Sequence, residues 1–124
     1  MHLCGIRGAT VATADTAEAI RSATRELLEA LQSVNGFDPD DLASVIFSVT
    51  PDLTAEAPAR AAREMGWDDT ALMCFAEMQV PGGLQRCIRV LIHWNTDKWP
   101  DESRHVYLHA AVQLRPDRAA RATD

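Results

Sequence analysis

Gly82-Gly83-Leu84-Gln85-Arg86-Cys87-Ile88-Arg89-Val90-Leu91-Ile92 sets an apolar strand behind a glycine pair and places an arginine in its middle. Side chains on a strand alternate between faces. Ile88, Val90, Ile92 and Trp94 therefore share one face, and Cys87, Arg89, Leu91 and His93 share the other. The first is a core face. The second is apolar apart from a guanidinium that cannot shed its charge, and burying such a charge is costly unless an anion meets it. The formal net charge is -6, so Arg89 is no part of a general basic surface. Its anion is either a carboxylate of the protein or one carried by a ligand.

A chain of 124 residues is one domain, large enough for a real core yet small for a strand buried on both faces. Hydrophobic residues at 47% and charged residues at 24% are the proportions of an ordinary globular protein. No stretch approaches a membrane span, and polar and glycine breaks interrupt the N-terminus where a secretory leader would be apolar. The acidic balance argues against nucleic acid as a partner, since no basic stripe is present to meet phosphates. Cys4, Cys74 and Cys87 form an odd set without a CxxC pair, which reads as reduced thiols in a cytoplasmic protein.

Outward from the Arg89 strand, the pattern predicts an alternation of elements. Residues 2–12 read as a strand around Ile6-Arg7-Gly8-Ala9-Thr10-Val11. Asp15, with Glu18 three residues on, reads as the cap of a helix carrying Ile20, Ala23, Leu27, Leu31 and Val34 on one stripe. Gly36 closes it, and Asp38-Pro39-Asp40-Asp41 reads as a capped single turn. Ser44 to Thr50 is β-branched and apolar, hence a strand, broken at Thr50-Pro51-Asp52. A second helix is expected from about 57 to 65, and Ala71 to Phe75 form a short strand before the loop through Glu77. The Arg89 strand ends near Asp97, and His105 to Leu108 are a last extended segment. Residues 1–117 are expected to be the single domain and 118–124 a mobile tail. The fold class is α+β, a mixed sheet with two main helices. Strands apolar on both faces need cover where two helices cannot reach, and self-association is the economical supply.

Arg7 and Arg89 both sit mid-strand among apolar neighbours. One reading is an internal ion pair, with Glu77 as the natural acid; the other is a bidentate grip on ligand carboxylates, which two planar forks favour. Glu77, three residues after Cys74, suits acid–base work or acceptance of a substrate hydroxyl, against the alternative of an ordinary loop acid. Cys74 as a nucleophile would need His93 or His105 as its base, and a strand cysteine is more often a small core residue. His105 and His109 lack the glutamate of a zinc motif, so no metal site is expected. Gly82-Gly83 lacks the lysine and hydroxyl residue of a phosphate loop and reads as a turn. Arg60 and Arg63 read as a solvated helix face, and Tyr107 as a core ring with a tethered hydroxyl.

Several segments then fall into one order. Gly5-Ile6-Arg7-Gly8-Ala9-Thr10, Thr50-Pro51-Asp52-Leu53, Cys74 with Glu77-Met78, Gly82-Gly83-Leu84 through Cys87-Ile88-Arg89-Val90, Arg104-His105-Val106-Tyr107-Leu108 and Leu114-Arg115-Pro116-Asp117 together resemble the small monofunctional chorismate mutases of the AroH class. The resemblance covers nearly the whole chain. It implies a homotrimer of α+β subunits around a pseudo-α/β-barrel, with an active site at each interface. It also implies the Claisen rearrangement of chorismate, a dicarboxylate, to prephenate in phenylalanine and tyrosine biosynthesis, without metal, cofactor or covalent intermediate.

By residue-for-residue match, Arg89 would donate to the ether oxygen and to a substrate carboxylate. Arg7 and Tyr107 would hold the enolpyruvyl carboxylate. Glu77 would accept from the ring hydroxyl and, with Cys74, face the developing ring cation, while backbone of Met73, Cys74, Phe75 and Ala76 lines the pocket. Arg63 and Arg60 would come from the adjacent subunit to the mouth, and Arg115 with the tail would form a loose lid. The chain departs from the family in carrying Ala57 where an aromatic is frequent and Arg60 where lysine is. Two other readings compete: a Rid-type imine deaminase, which binds carboxylates with a strand arginine, and a non-catalytic amino-acid-binding module with a ferredoxin-like order of elements.

Overall fold

The computed structural model describes residues 1–114. The elements are β1 (His2–Val11), α1 (Ala17–Asn35), a 3₁₀ turn (Pro39–Asp41), β2 (Leu42–Val49), α2 (Ala59–Glu64), β3 (Ala71–Ala76) and β4 (Cys87–Thr96). A second 3₁₀ turn (Pro100–Glu102), the two-residue β5 (Val106–Tyr107) and a third turn (His109–Leu114) complete them. The strands form one mixed sheet in the order β3-β2-β4-β1-β5. β4 runs antiparallel to both neighbours, whereas β3 is parallel to β2 and β5 to β1. The expected α+β architecture stands.

Helix α1 starts one residue later than the sequence pattern suggests. Thr16 is its cap, with Oγ1 accepting the Ala19 N–H at 3.1 Å. Asp15 turns away because better donors lie on the loop ahead of α2: its carboxylate takes the N–H groups of Thr54 and Ala55 at 2.9 and 3.0 Å. Those backbone donors, Thr54 first, hold its pKa below the usual carboxylate value. At the other end Gly36 adopts φ 71 and donates to Gln32 O at 2.7 Å, the left-handed cap that a side chain would strain. Helix α2 is shorter than expected, because Pro58 occupies its cap position and leaves Ala57 outside.

Both helices cover the same face of the sheet. Leu27, Leu28 and Leu31 of α1 and Ala59 and Ala62 of α2 pack on Ile6, Val45, Phe47, Val90, Ile92 and Trp94. Each fully buried leucine contributes about 1.5–3 kcal/mol. The approach of α1 to β1 is closest at Gly8. A Cβ there would fall 2.8 Å from Leu31 Cδ1, 3.0 Å from Val90 Cγ1 and 3.1 Å from Leu27 Cδ1. Gly8→Ala therefore overpacks the core and costs about 1–3 kcal/mol, read as a lowered denaturation midpoint at unchanged slope.

Among the described residues the other face of the sheet carries no helix. Its rows follow from the register: Phe75, Ser48, Arg89 and Ala9 in one, Met73, Ile46, Leu91 and Arg7 in the next. Arg89, expected among buried neighbours, is exposed in the single chain, as are Leu3, Met73 and Phe75. Its β5 edge is covered by a small cluster of Ala9, Tyr107 and Ala111 with Leu84 and Leu114. Among the described residues no helix is long and apolar enough to cross a membrane.

Candidate active site

Arg89 stands in the middle of the sheet, opposite Ser48 on β2 and Ala9 on β1. Glu77 follows β3 directly and is tied to the sheet by its N–H, which donates to Val49 O at 2.7 Å. The two side chains meet: Arg89 Nε lies 2.5 Å from Glu77 Oε1. Arg89 remains 46% exposed and Glu77 20%, so the pair screens itself only in part. The contact uses one of five guanidinium N–H donors, leaving the fork able to serve a ligand.

Two clefts meet at Arg89. The larger, about 760 Å³, runs past Thr50, Asp52, Glu77, the Pro81-Gly82-Gly83 turn, Cys87 and Leu114. The smaller, about 240 Å³, is lined by Arg7, Ile46, Ser48, Leu91 and Tyr107. Arg89 borders both. Arg7 is positioned by its backbone, whose N–H donates to His105 Nδ1 at 2.9 Å. His105 is thus a buried, locally bonded ring, not a solvated one. Among the described residues no carboxylate pairs with Arg7. Tyr107 is buried at the sheet edge beside it.

The remaining predicted residues lie elsewhere. Met73 and Phe75 project from the open face of β3, whereas register pairs Cys74 with Phe47 and Ala76 with Val49, on the helix side. Cys74 is nevertheless exposed, β3 being an edge strand. Neither histidine stands beside it, since His93 bonds Ser44 Oγ at 2.8 Å and His105 serves Arg7. Arg60 and Arg63 are exposed on α2 and line neither cleft of their own chain; Arg60 meets Glu64 at 3.4 Å. Arg115 and residues 118–124 lie outside the described residues.

Cys87 lines the larger cleft, and burial pushes its thiol up to about 11, ahead of a smaller opposing pull from Arg89. A thiol so held is protonated at neutral pH and is no nucleophile. Among the described residues no group of His, Cys, Asp or Glu is arranged to hold a metal ion. Sequence reasoning did not place Ser48, Ile46 and Leu91 at the site. Alternation marks them as outward-facing, but only the strand register brings them next to Arg89.

Two strand guanidiniums border these clefts, and among the described residues only Arg89 meets a carboxylate, which suits an anionic small molecule held by an α+β sheet. Over residues 3–118 the chain matches the model of the family described as chorismate mutase type I, and it belongs to that family. It is 54% identical over 114 residues to chorismate mutase AroH of Thermus thermophilus, covering 91% of this chain and 93% of that protein. Identity to chorismate mutase AroH of Bacillus subtilis is 47% over 118 residues, covering 94% and 93%. The solved chorismate mutase of Clostridium thermocellum superposes with a TM-score of 0.87 at 51% identity, covering 89% of this chain and 98% of that one.

Proposed function

We propose that this chorismate mutase rearranges chorismate to prephenate with Arg89 and Glu77 as its electrostatic centre, in a cytoplasmic homotrimer. The carrying observation is the position of Arg89, bordering both clefts and paired with Glu77. The reaction is unimolecular and moves no net proton or electron, so what the protein supplies is conformation and fixed charge. As the ether C–O bond breaks ahead of C–C formation, negative charge grows on the enolpyruvyl oxygen and positive charge on the ring. Arg89 donates to that oxygen. Arg7, with Tyr107, holds the side-chain carboxylate in the smaller cleft. Glu77 accepts the ring hydroxyl and faces the ring cation, with the backbone of Met73 to Ala76 along the wall.

The uncovered sheet face supports the trimer, since Leu3, Met73 and Phe75 are exposed there beside Ile46 and Leu91. A contiguous apolar face of that kind is a site of association. Arg63 and Arg60, remote from the clefts of their own chain, complete the mouth from a neighbour. No metal or cofactor takes part. Purified protein is expected to consume chorismate, followed by loss of its ultraviolet absorbance, and to sediment as three copies. A monomeric mass with full activity would refute the shared site; an active trimer indifferent to the oxabicyclic transition-state analogue would refute the mechanism.

A further inference from the structure

Arg86 immediately precedes β4 and is held at φ 50, a left-handed conformation in which any residue but glycine is strained. Two straps hold it there. On the β1 side, Ala12 N–H donates to Arg86 O at 2.8 Å, and Arg86 Nε donates to Ala12 O at 3.0 Å. On the β2 side, Arg86 N–H donates to Asp52 Oδ2 at 2.8 Å. The second Asp52 oxygen accepts the hydroxyl of buried Thr50 at 2.5 Å. Thr50 Oγ1 in turn accepts Cys87 N–H at 2.9 Å, while Thr50 N–H donates to Cys87 O at 3.0 Å. The β2–β4 ladder, regular from Ser44 opposite His93 to Val49 opposite Ile88, is thereby extended by one pair in which a side chain replaces a backbone acceptor.

We infer that Asp52 is a positioning residue: it clamps Arg86 directly and Cys87 through Thr50, and so aims Arg89 three residues further along the strand. Both of its oxygens are taken by protein donors, so it is not set up to carry a proton or bind a ligand. It nonetheless borders the same cleft as Glu77 and Arg89. A carboxylate there repels a dicarboxylate, which predicts a particular split. Removing it lowers kcat, because the fork is misaimed, and leaves KM unchanged or lower, because the repulsion is relieved. Misplacement by a fraction of an ångström from such a support costs about ten- to a hundredfold in rate.

This inference rests on the role of Arg89 above. The experiment measures kcat, KM and Tm for Asp52→Ala, alone, with Arg86→Gly, and with Arg89→Lys. If Asp52→Ala does not fold, Asp52→Asn takes its place, since it retains one acceptor and puts a donor where Arg86 N–H or the Thr50 hydroxyl needs the other. The clamp predicts a kcat loss of at least about tenfold without a rise in KM. Glycine at 86, which adopts the left-handed conformation without help, recovers most of that loss. In the Arg89→Lys background the same change costs less than about twofold, because the two act through one group. Native kcat in Asp52→Ala, or a loss that multiplies in full with Arg89→Lys, overturns the clamp. Native turnover in Arg89→Lys itself would overturn the Arg89 assignment, and the clamp with it.

Discussion

Arg89→Ala lowers kcat for chorismate by about a hundred- to a thousandfold, equivalent to about 2.7–4 kcal/mol of activation free energy. The guanidinium is half exposed in the free chain, and an ion pair of that kind adds at most about 1 kcal/mol to stability. The folded protein therefore survives the change, and the loss appears in turnover. The ether oxygen gains charge only on the way to the transition state, so kcat falls; the lost carboxylate grip raises KM as well, and kcat/KM falls further. Lysine recovers little. It carries the charge, but as a mobile point without the planar fork that can reach an ether oxygen and a carboxylate at once. Steady-state loss of chorismate, with circular dichroism to confirm folding, checks this; near-native turnover in the alanine variant would refute the electrostatic role.

Glu77→Ala is expected to cost about a hundredfold in kcat/KM. Two functions leave with the carboxylate. It holds Arg89 Nε at 2.5 Å, and its removal frees the fork to rotate. In the proposed mechanism it also accepts the ring hydroxyl and opposes the ring cation. Glutamine separates them: it retains an acceptor oxygen and loses the charge, so Glu77→Gln should fall between native and alanine, about tenfold below native. Full activity in the glutamine variant would assign Glu77 to hydrogen bonding alone. Full activity in the alanine variant would remove it from the site.

The Arg89 strand shows what one chain can and cannot reveal. Alternation correctly separates Ile88, Val90, Ile92 and Trp94 as core. Both sequence-level readings of Arg89 also have a place in the structure: its guanidinium does pair with Glu77, and it does border clefts of ligand size. The faces of the edge strand β3 were harder. Proximity in sequence joins Cys74 to Glu77, but pairing with Phe47 turns Cys74 toward the helices, and such pairing is set by tertiary register. The cap of α1 erred for a related reason. Asp15 and Thr16 are both good local caps, and the choice depends on the Thr54–Ala55 amides, some 39 residues away in sequence. Asp52 was visible only as part of a loop break, because its partners Thr50 and Arg86 belong to different strands' ends. Arg60 and Arg63 illustrate the remaining limit: nothing in a chain's own pattern tells a solvated arginine from one directed at a neighbour.

Gly8 carries a consequence for how such a sequence drifts. Its missing side chain sets the height at which α1 rides over the sheet, with Leu27, Leu31 and Val90 closing the space. A lineage that gains even a methyl group there must trim one of those three neighbours at the same time. Divergent relatives should therefore exchange these positions jointly, as a correlated set, while the exposed stripe of the same helix changes freely.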